Sequence, residues 1–509
     1  MPASPRWRAR LDAHVSGSIL LDKPLSWRQI GAIAEGANLA LSDAARGRIA
    51  ASRALVGAIV AKRIRAYGVN TGVGALCEVV VDEPKQRQLS HNVVMSHAVG
   101  VGAPLAPRET RAIVAAAINN FALGYSGIGL GKVEHLMQML SEGCVPEVPA
   151  SGSVGYLSHM AHIALVLLGK GHALLRGERC SGAEALKAMG MQPLVLEAKE
   201  GLSLVNGTPC ATGLSAVALL RLERVLDWAD AIAAMTFENL GAQAGSFDSD
   251  TLGLRVSGGV AQVGARLRAM LQGSGLLAAR AGRHTQDPLS LRAVPQVHGA
   301  VRDLFGHAQG VVDRELASVT DNPILTGTVD APRALSEAHA VGAAIGLTAD
   351  ALATAAAEVA AMSERRIDRL VNPLLSNLPA FLAADSGVSS GFMIAQYTAA
   401  SLVGENRRLA APASLDGGVT SGLQEDHLSH ATPAAIKLLK ILDNAEIILA
   451  IELLAAAQAY ELQPESHARA AGTDAVYREV RAAVAQYRDD RPLAEDIERA
   501  RELLGKRPA

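Results

Sequence analysis

GAAIGLTADALATAAAEVAAMSERRIDRL, residues 342–370, is the stretch whose reading decides the fold. Alanine and leucine favour helix, no proline interrupts the run, and apolar side chains fall on nearly every face. A helix that is apolar all round has to be covered by other helices. LSAVALLRLERVLDWADAIAAMTF, residues 214–237, reads as a second long helix. A third opens with Thr432 as N-cap and Pro433 in the first helical position, runs to Leu462 and is stopped by Pro464. Three such rods with only 3% aromatic residues predict a mainly α protein. The expected architecture is an elongated bundle of long helices whose interior is filled by other helices, including those of other subunits.

Outward from these rods the texture changes. Residues 1–210 are mixed, with frequent glycine and proline, and read as an N-terminal lobe. Residues 211–464 read as the central long-helix bundle, and 465–509, charged and amphipathic, as a C-terminal helical cap. A chain of 509 residues, 49% hydrophobic, has enough length for a large core. Its formal charge of −2 argues against a nucleic-acid or membrane-surface partner. Cys77, Cys144, Cys180 and Cys210 form no Cys-x-x-Cys pair, so neither a zinc site nor a disulfide framework is expected. Residues 1–17 lack the apolar core of a signal peptide. The most apolar runs are broken by His, Lys, Asp or Glu short of membrane-spanning length. The expectation is a soluble cytoplasmic protein without a metal.

Ala150-Ser151-Gly152 lies between the proline-bearing turn Glu147-Val148-Pro149 and an apolar run. Leu157, Met160, Ala161, Ala164, Leu165 and Leu168 follow helical spacing there, with Ser153 as a candidate N-cap and Gly169 and Gly171 closing the helix. The tripeptide has the makings of an electrophile built from the backbone. The small Ala150 leaves its carbonyl carbon open, Gly152 lets its amide nitrogen fold back onto that carbon, and the Ser151 hydroxyl can leave as water. Cyclisation with loss of two waters would give a methylidene-imidazolone ring. Ala-Ser-Gly also occurs in ordinary turns, and by itself it does not decide between the two.

The segments around it carry a resemblance. YGVNTGVGAL at Tyr67–Leu76, SHAVGVGAPL at Ser96–Leu105, GYSG at Gly124–Gly127, the tripeptide and KEGLSLVNGT at Lys199–Thr208 follow one another in order. QDPLSLRAVPQVHGAVRD from Gln286, TDNP at Thr320–Pro323, SERRIDRL, SGFMIAQYTAA, PAS and TSGLQEDH complete the series. Together they resemble the histidine/phenylalanine/tyrosine ammonia-lyase family through most of the chain. Ser96-His97 and the QEDH string are similar to the histidine branch.

That resemblance implies a fumarase/aspartase-like helical architecture and a homotetramer whose active sites draw on three subunits. It also implies a reaction that removes an amine and a β-proton from an aromatic amino acid. The implied cofactor is 4-methylidene-imidazol-5-one, formed from Ala150, Ser151 and Gly152, with no external group. Tyr67 is then the base, which requires nearby positive potential because a phenol titrates near ~10. Asn70 braces the Tyr67 loop. Asn206 donates to the ring oxygen, Arg292 grips the carboxylate bidentately, and Gln286 adds a hydrogen bond. His97 faces the substrate side chain, and Glu425, with Gln424 as a weaker neighbour, meets the amino group or an imidazole. His427 is structural, and no chemistry is assigned to His284, His298 or Glu364.

The chain also departs from the family pattern. Ser153 stands where aspartate is usual, Leu289 where a tyrosine is, and Ala317 where asparagine precedes TDNP. Ser336–Ala340 reads SEAHA, with Glu337 and Ala338 replacing an asparagine and an aromatic residue. The pocket should therefore be larger and more acidic. Besides a histidine-type lyase, three readings stay open: a lyase for an N-methylated histidine betaine, whose cation Glu337 would suit; an aminomutase; and a catalytically silent paralogue.

Overall fold

In a computed structural model, residues 18–463 and 467–508 are described. Residues 1–17, read for a signal peptide, and Pro464, expected to end the third rod, lie outside them. The chain is mainly helical, as its composition predicts, and its strands are only three or four residues long. The elements that position the site are α1 (Glu83–His97), β1 (Val101–Pro104), β2 (Pro149–Ser151), α2 (Ser158–Leu167), α3 (Glu200–Val205) and four long helices. These are α4 (Pro209–Asn239), α5 (Val294–Leu316), α6 (Ala343–Val371) and α7 (Ala431–Glu461). The rod at 214–237 is present with small extensions, and that at 342–370 is present shifted by one residue. The α5 rod is an additional one, less uniformly apolar than the other three, which hid it among mixed residues.

Two compact units divide the chain: 1–217 with 309–350 and 412–436, and 218–308 with 351–411 and 437–509. All four long helices contribute residues to both. In the first unit, α1, α2 and α3 pack against one another. β1 pairs antiparallel with β2, placing Val101 opposite Ser151. A three-stranded antiparallel sheet of 144–146, 172–175 and 178–181, a parallel pair of 19–21 with 39–41, and a hairpin at 324–335 belong to the same unit.

In the second unit, α4 is buried on all sides, and its polar side chains are paired. Arg221 meets Asp443 at 2.7 Å and Glu446 at 2.9 Å, and Asp230 meets His298 at 2.8 Å and Arg302 at 2.6 Å. Thr236 and Arg366 both donate to Glu452, at 2.7 and 2.6 Å. A buried charge needs such a partner, and His298 is thereby structural.

Three expectations require correction. Residues 200–239 and α6 are long and apolar enough to cross a membrane by length and composition. Their apolar stretches, however, are buried within the protein, fully in the first and 61% in the second. Ser153 does not cap α2, which starts at Ser158 after Leu157 turns through φ +75°. Thr432 is not the N-cap of α7, which begins at Ala431; its hydroxyl instead donates to the Gly155 carbonyl at 2.7 Å.

Candidate active site

The β1–β2 ladder presents Ala150-Ser151-Gly152 along its edge, with Ser151 and Gly152 exposed. Gly152 has φ +110°, and a Cβ there would sit 3.2 Å from the Gly100 Cα. Only glycine meets both demands. Beneath the strands, His159 of α2 is 1% exposed, and its Nε2 lies 3.1 Å from the Ala150 carbonyl oxygen. His162, one turn further, accepts from the Gly100 N–H through Nε2 at 3.0 Å. The open serine, the left-handed glycine and a donor on the Ala150 carbonyl suit condensation of this peptide on itself. Ser153 spends its hydroxyl on a local turn, donating to the Tyr156 carbonyl at 2.9 Å and accepting from Gly155 at 3.2 Å.

Tyr67 sits half-buried in a loop that Asn70 closes. The Asn70 Oδ1 accepts from the Ala66 N–H at 2.9 Å and its Nδ2 donates to the Ile64 carbonyl at 2.8 Å. The Tyr67 hydroxyl accepts from the Gly74 N–H at 3.1 Å. Burial raises the Tyr67 pKa, the Gly74 N–H lowers it, and the negative charge of Glu425 raises it further. Among the described residues no cation is a cause of its shift, so the positive potential expected beside it is not found there. His97, the last residue of α1, touches the Ser96 hydroxyl at 3.1 Å; burial lowers its pKa, with Val93 and Glu425 opposing. Glu425 is half-buried and accepts from the Thr420 hydroxyl at 2.9 Å.

Tyr156 was missed by the sequence reading. Its phenol hydrogen-bonds Glu425 and interacts electrostatically with Tyr67, and burial, then Glu425, pushes its pKa up to about 12. Glu425 is thus the charge to which two phenols and an imidazole respond. A tyrosine five residues past Ser151 was the one available signal, and spacing alone does not point it at residue 425.

Asn206, at the end of α3, donates to the Asn322 carbonyl at 2.8 Å and more weakly to Asp321 at 3.5 Å. Asp321 is fully buried and pairs with the equally buried Lys199 at 3.1 Å. Burial pushes the lysine pKa down and the aspartate pKa up, and the pairing opposes both shifts. Glu337 donates its N–H to the Asn322 side chain at 3.0 Å, and its carboxylate is held by His339. Its carboxylate therefore has a local partner, while its Oε1 is buried without one among the described residues.

Gln286 and Arg292 belong to the second unit. With its oxygen turned inward, the Gln286 amide accepts from Arg292 Nη1 and Nη2 at 2.7 and 3.2 Å, and Arg292 also donates to the Asp287 carbonyl. Leu289 is 63% exposed beside them. His284, Gln424 and His427 are exposed, and Glu364 is bound by Arg365.

With this helical scaffold and these side chains, comparison with known proteins identifies an enzyme of the carbon–nitrogen lyase class. The profile of aromatic amino acid lyases matches residues 25–482, so the chain belongs to that family. It is 44% identical to a histidine ammonia-lyase of Anaeromyxobacter dehalogenans over 502 residues, covering 96% of this chain and 98% of the relative. A crystal structure of histidine ammonia-lyase from Trypanosoma cruzi superimposes with a TM-score of 0.88 at 35% identity, covering 96% and 93%. A tyrosine aminomutase from Streptomyces globisporus superimposes with 0.90 at 34%, covering 96% and 97%.

Proposed function

We propose that this protein eliminates ammonia from L-histidine to give urocanate, with a methylidene-imidazolone formed from Ala150, Ser151 and Gly152. The observation that carries the reading is the likeness, over nearly the whole chain, to a histidine ammonia-lyase. The chemistry has two obstacles, a β-proton that is barely acidic and an amine that leaves poorly. The ring, held in the main chain by Ala150, Ser151 and Gly152, would supply an electrophile that eases both departures.

The remaining work falls to side chains. Burial is the main cause of the raised Tyr67 pKa, and the substrate ammonium, by pairing with Glu425, cancels the further rise that the Glu425 charge adds. Tyr67 then takes the β-proton. His97, kept neutral at physiological pH by burial, hydrogen-bonds the substrate imidazole. Arg292, with Gln286 on its guanidinium, grips the carboxylate; in a homotetramer it need not come from the copy that supplies Tyr67. Asn206 has one amide hydrogen committed to Asn322, and the other, in the long contact to Asp321, is assigned to the ring oxygen. Exposed Leu76, Val79, Val80 and Leu423 support burial by neighbouring copies in a homotetramer. A cytoplasmic location completes the reading.

The test joins intact mass to turnover. Purified protein should be two waters lighter than its encoded mass and should convert L-histidine to urocanate. Ser151→Ala should restore the full mass and remove the activity. A full-mass chain that releases trimethylamine from a histidine betaine, or a product carrying a β-amine, would overturn the proposal.

A further inference from the structure

We propose that His159 is the catalytic hydrogen-bond donor for the self-condensation of Ala150-Ser151-Gly152, acting on the Ala150 carbonyl oxygen in place of the residue that Ser153 cannot be. The inference rests on the reading that this tripeptide cyclises.

Ring closure bonds the Gly152 nitrogen to the Ala150 carbonyl carbon, and the Gly152 proton ends on the former carbonyl oxygen as a hydroxyl. That hydroxyl leaves with the Ser151 N–H proton as the first water, setting a C=N bond. The Ser151 hydroxyl and its α-hydrogen leave as the second. No oxidant or further reactant is required. Negative charge builds on the Ala150 oxygen as the nitrogen attacks, and a fixed N–H donor there lowers that barrier.

The His159 Nε2 is 3.1 Å from this oxygen, within the range in which such a donor is effective. A carbonyl can only accept, so Nε2 carries the hydrogen. The Nδ1 atom is buried with no partner among the described residues. Burial holds the His159 pKa down to about 4, so the ring is neutral at physiological pH. It therefore donates a hydrogen bond without delivering a proton. Ser153 has its single hydroxyl hydrogen committed to the Tyr156 carbonyl at 2.9 Å. His162, from the same helix, fixes Gly100 at 3.0 Å, and Gly100 is the backbone against which Gly152 lies. One helix thus supplies both the donor and the support. The bond to Ala150 exists only before the ring forms, because its acceptor leaves as water.

The experiment follows intact mass over time in freshly expressed full-length chain, beside its thermal melt. Wild type should be two waters light. His159→Leu should melt as wild type does yet keep the full mass at purification, condensing more slowly by about 10²–10³-fold. His159→Gln, which retains an N–H donor, should recover condensation. A folded His159→Leu chain already two waters light overturns the role of His159 while leaving the ring intact. A wild-type chain of full mass overturns the ring itself, a distinct result. Should the leucine chain not fold, His159→Ala decides: condensation only with added imidazole supports the proposal, and condensation without it overturns it.

Discussion

Replacing Lys199 with methionine removes one member of the buried pair that anchors the loop beneath Asn206. Both side chains are essentially unexposed, 3.1 Å apart. At an effective dielectric of about 20, unit charges at that separation attract by about 5 kcal/mol, and breaking a buried pair costs about 3–5 kcal/mol. The Asp321 carboxylate would keep the Asn322 N–H at 2.7 Å and the long Asn206 contact, but no cation. The first unit holds roughly 280 residues, for which the unfolding entropy is about 0.6 kcal/mol/K. Lys199→Met should therefore melt about 5–8 °C lower at fixed protomer concentration.

The pH dependence has a definite sign. The folded-state pKa of Asp321 is already raised by burial and rises further without its lysine. A raised carboxyl pKa contributes stability at low pH that is lost as pH rises through the folded value. The gap between Lys199→Met and wild type should thus narrow on acidification. Adding Asp321→Asn should recover at least about half of the loss, since the unpaired charge is gone. Calorimetry at pH 5 and 8 measures all three chains. A single variant melting within about 1 °C of wild type, or a double variant less stable than the single, would refute the reasoning.

Three further outcomes follow. Tyr67→Phe should lower kcat by about 10²–10⁴ while leaving a melt within about 1 kcal/mol of wild type, since only the bond from Gly74 is lost; retained turnover would remove Tyr67 as base. Glu425→Gln takes away a negative charge that raises the Tyr67 and Tyr156 pKa values, so both phenols should titrate at lower pH by ultraviolet difference spectroscopy, and an upward shift would contradict the placement of Glu425. Arg292→Lys should raise KM by about tenfold or more, as one ammonium cannot replace a bidentate fork, and an unchanged KM would move the carboxylate grip elsewhere.

Much of the scaffold was legible in the chain. Long alanine- and leucine-rich runs with no proline in their interiors favour helix, and α4, α6 and α7 follow from that, although α6 is wrapped only in part. The bracing of the Tyr67 loop by Asn70 was also legible, because it is a contact between near neighbours. Boundaries were less so. Ser153 looks like an N-cap on local grounds, yet tertiary packing turns the chain through Leu157 before the helix begins.

What the sequence by itself determined is helix content, the presence of the long apolar rods, family, and the Ala-Ser-Gly tripeptide beside a proline-bearing turn. Those depend on composition and on residues close in the chain. Only the tertiary structure decided that Tyr156 answers to Glu425, that Lys199 meets Asp321 across 122 residues, and that His159 lies on the Ala150 carbonyl. Such meetings are set by how packed helices and loops bring side chains together, and a pattern of residue types along one dimension does not record that distance.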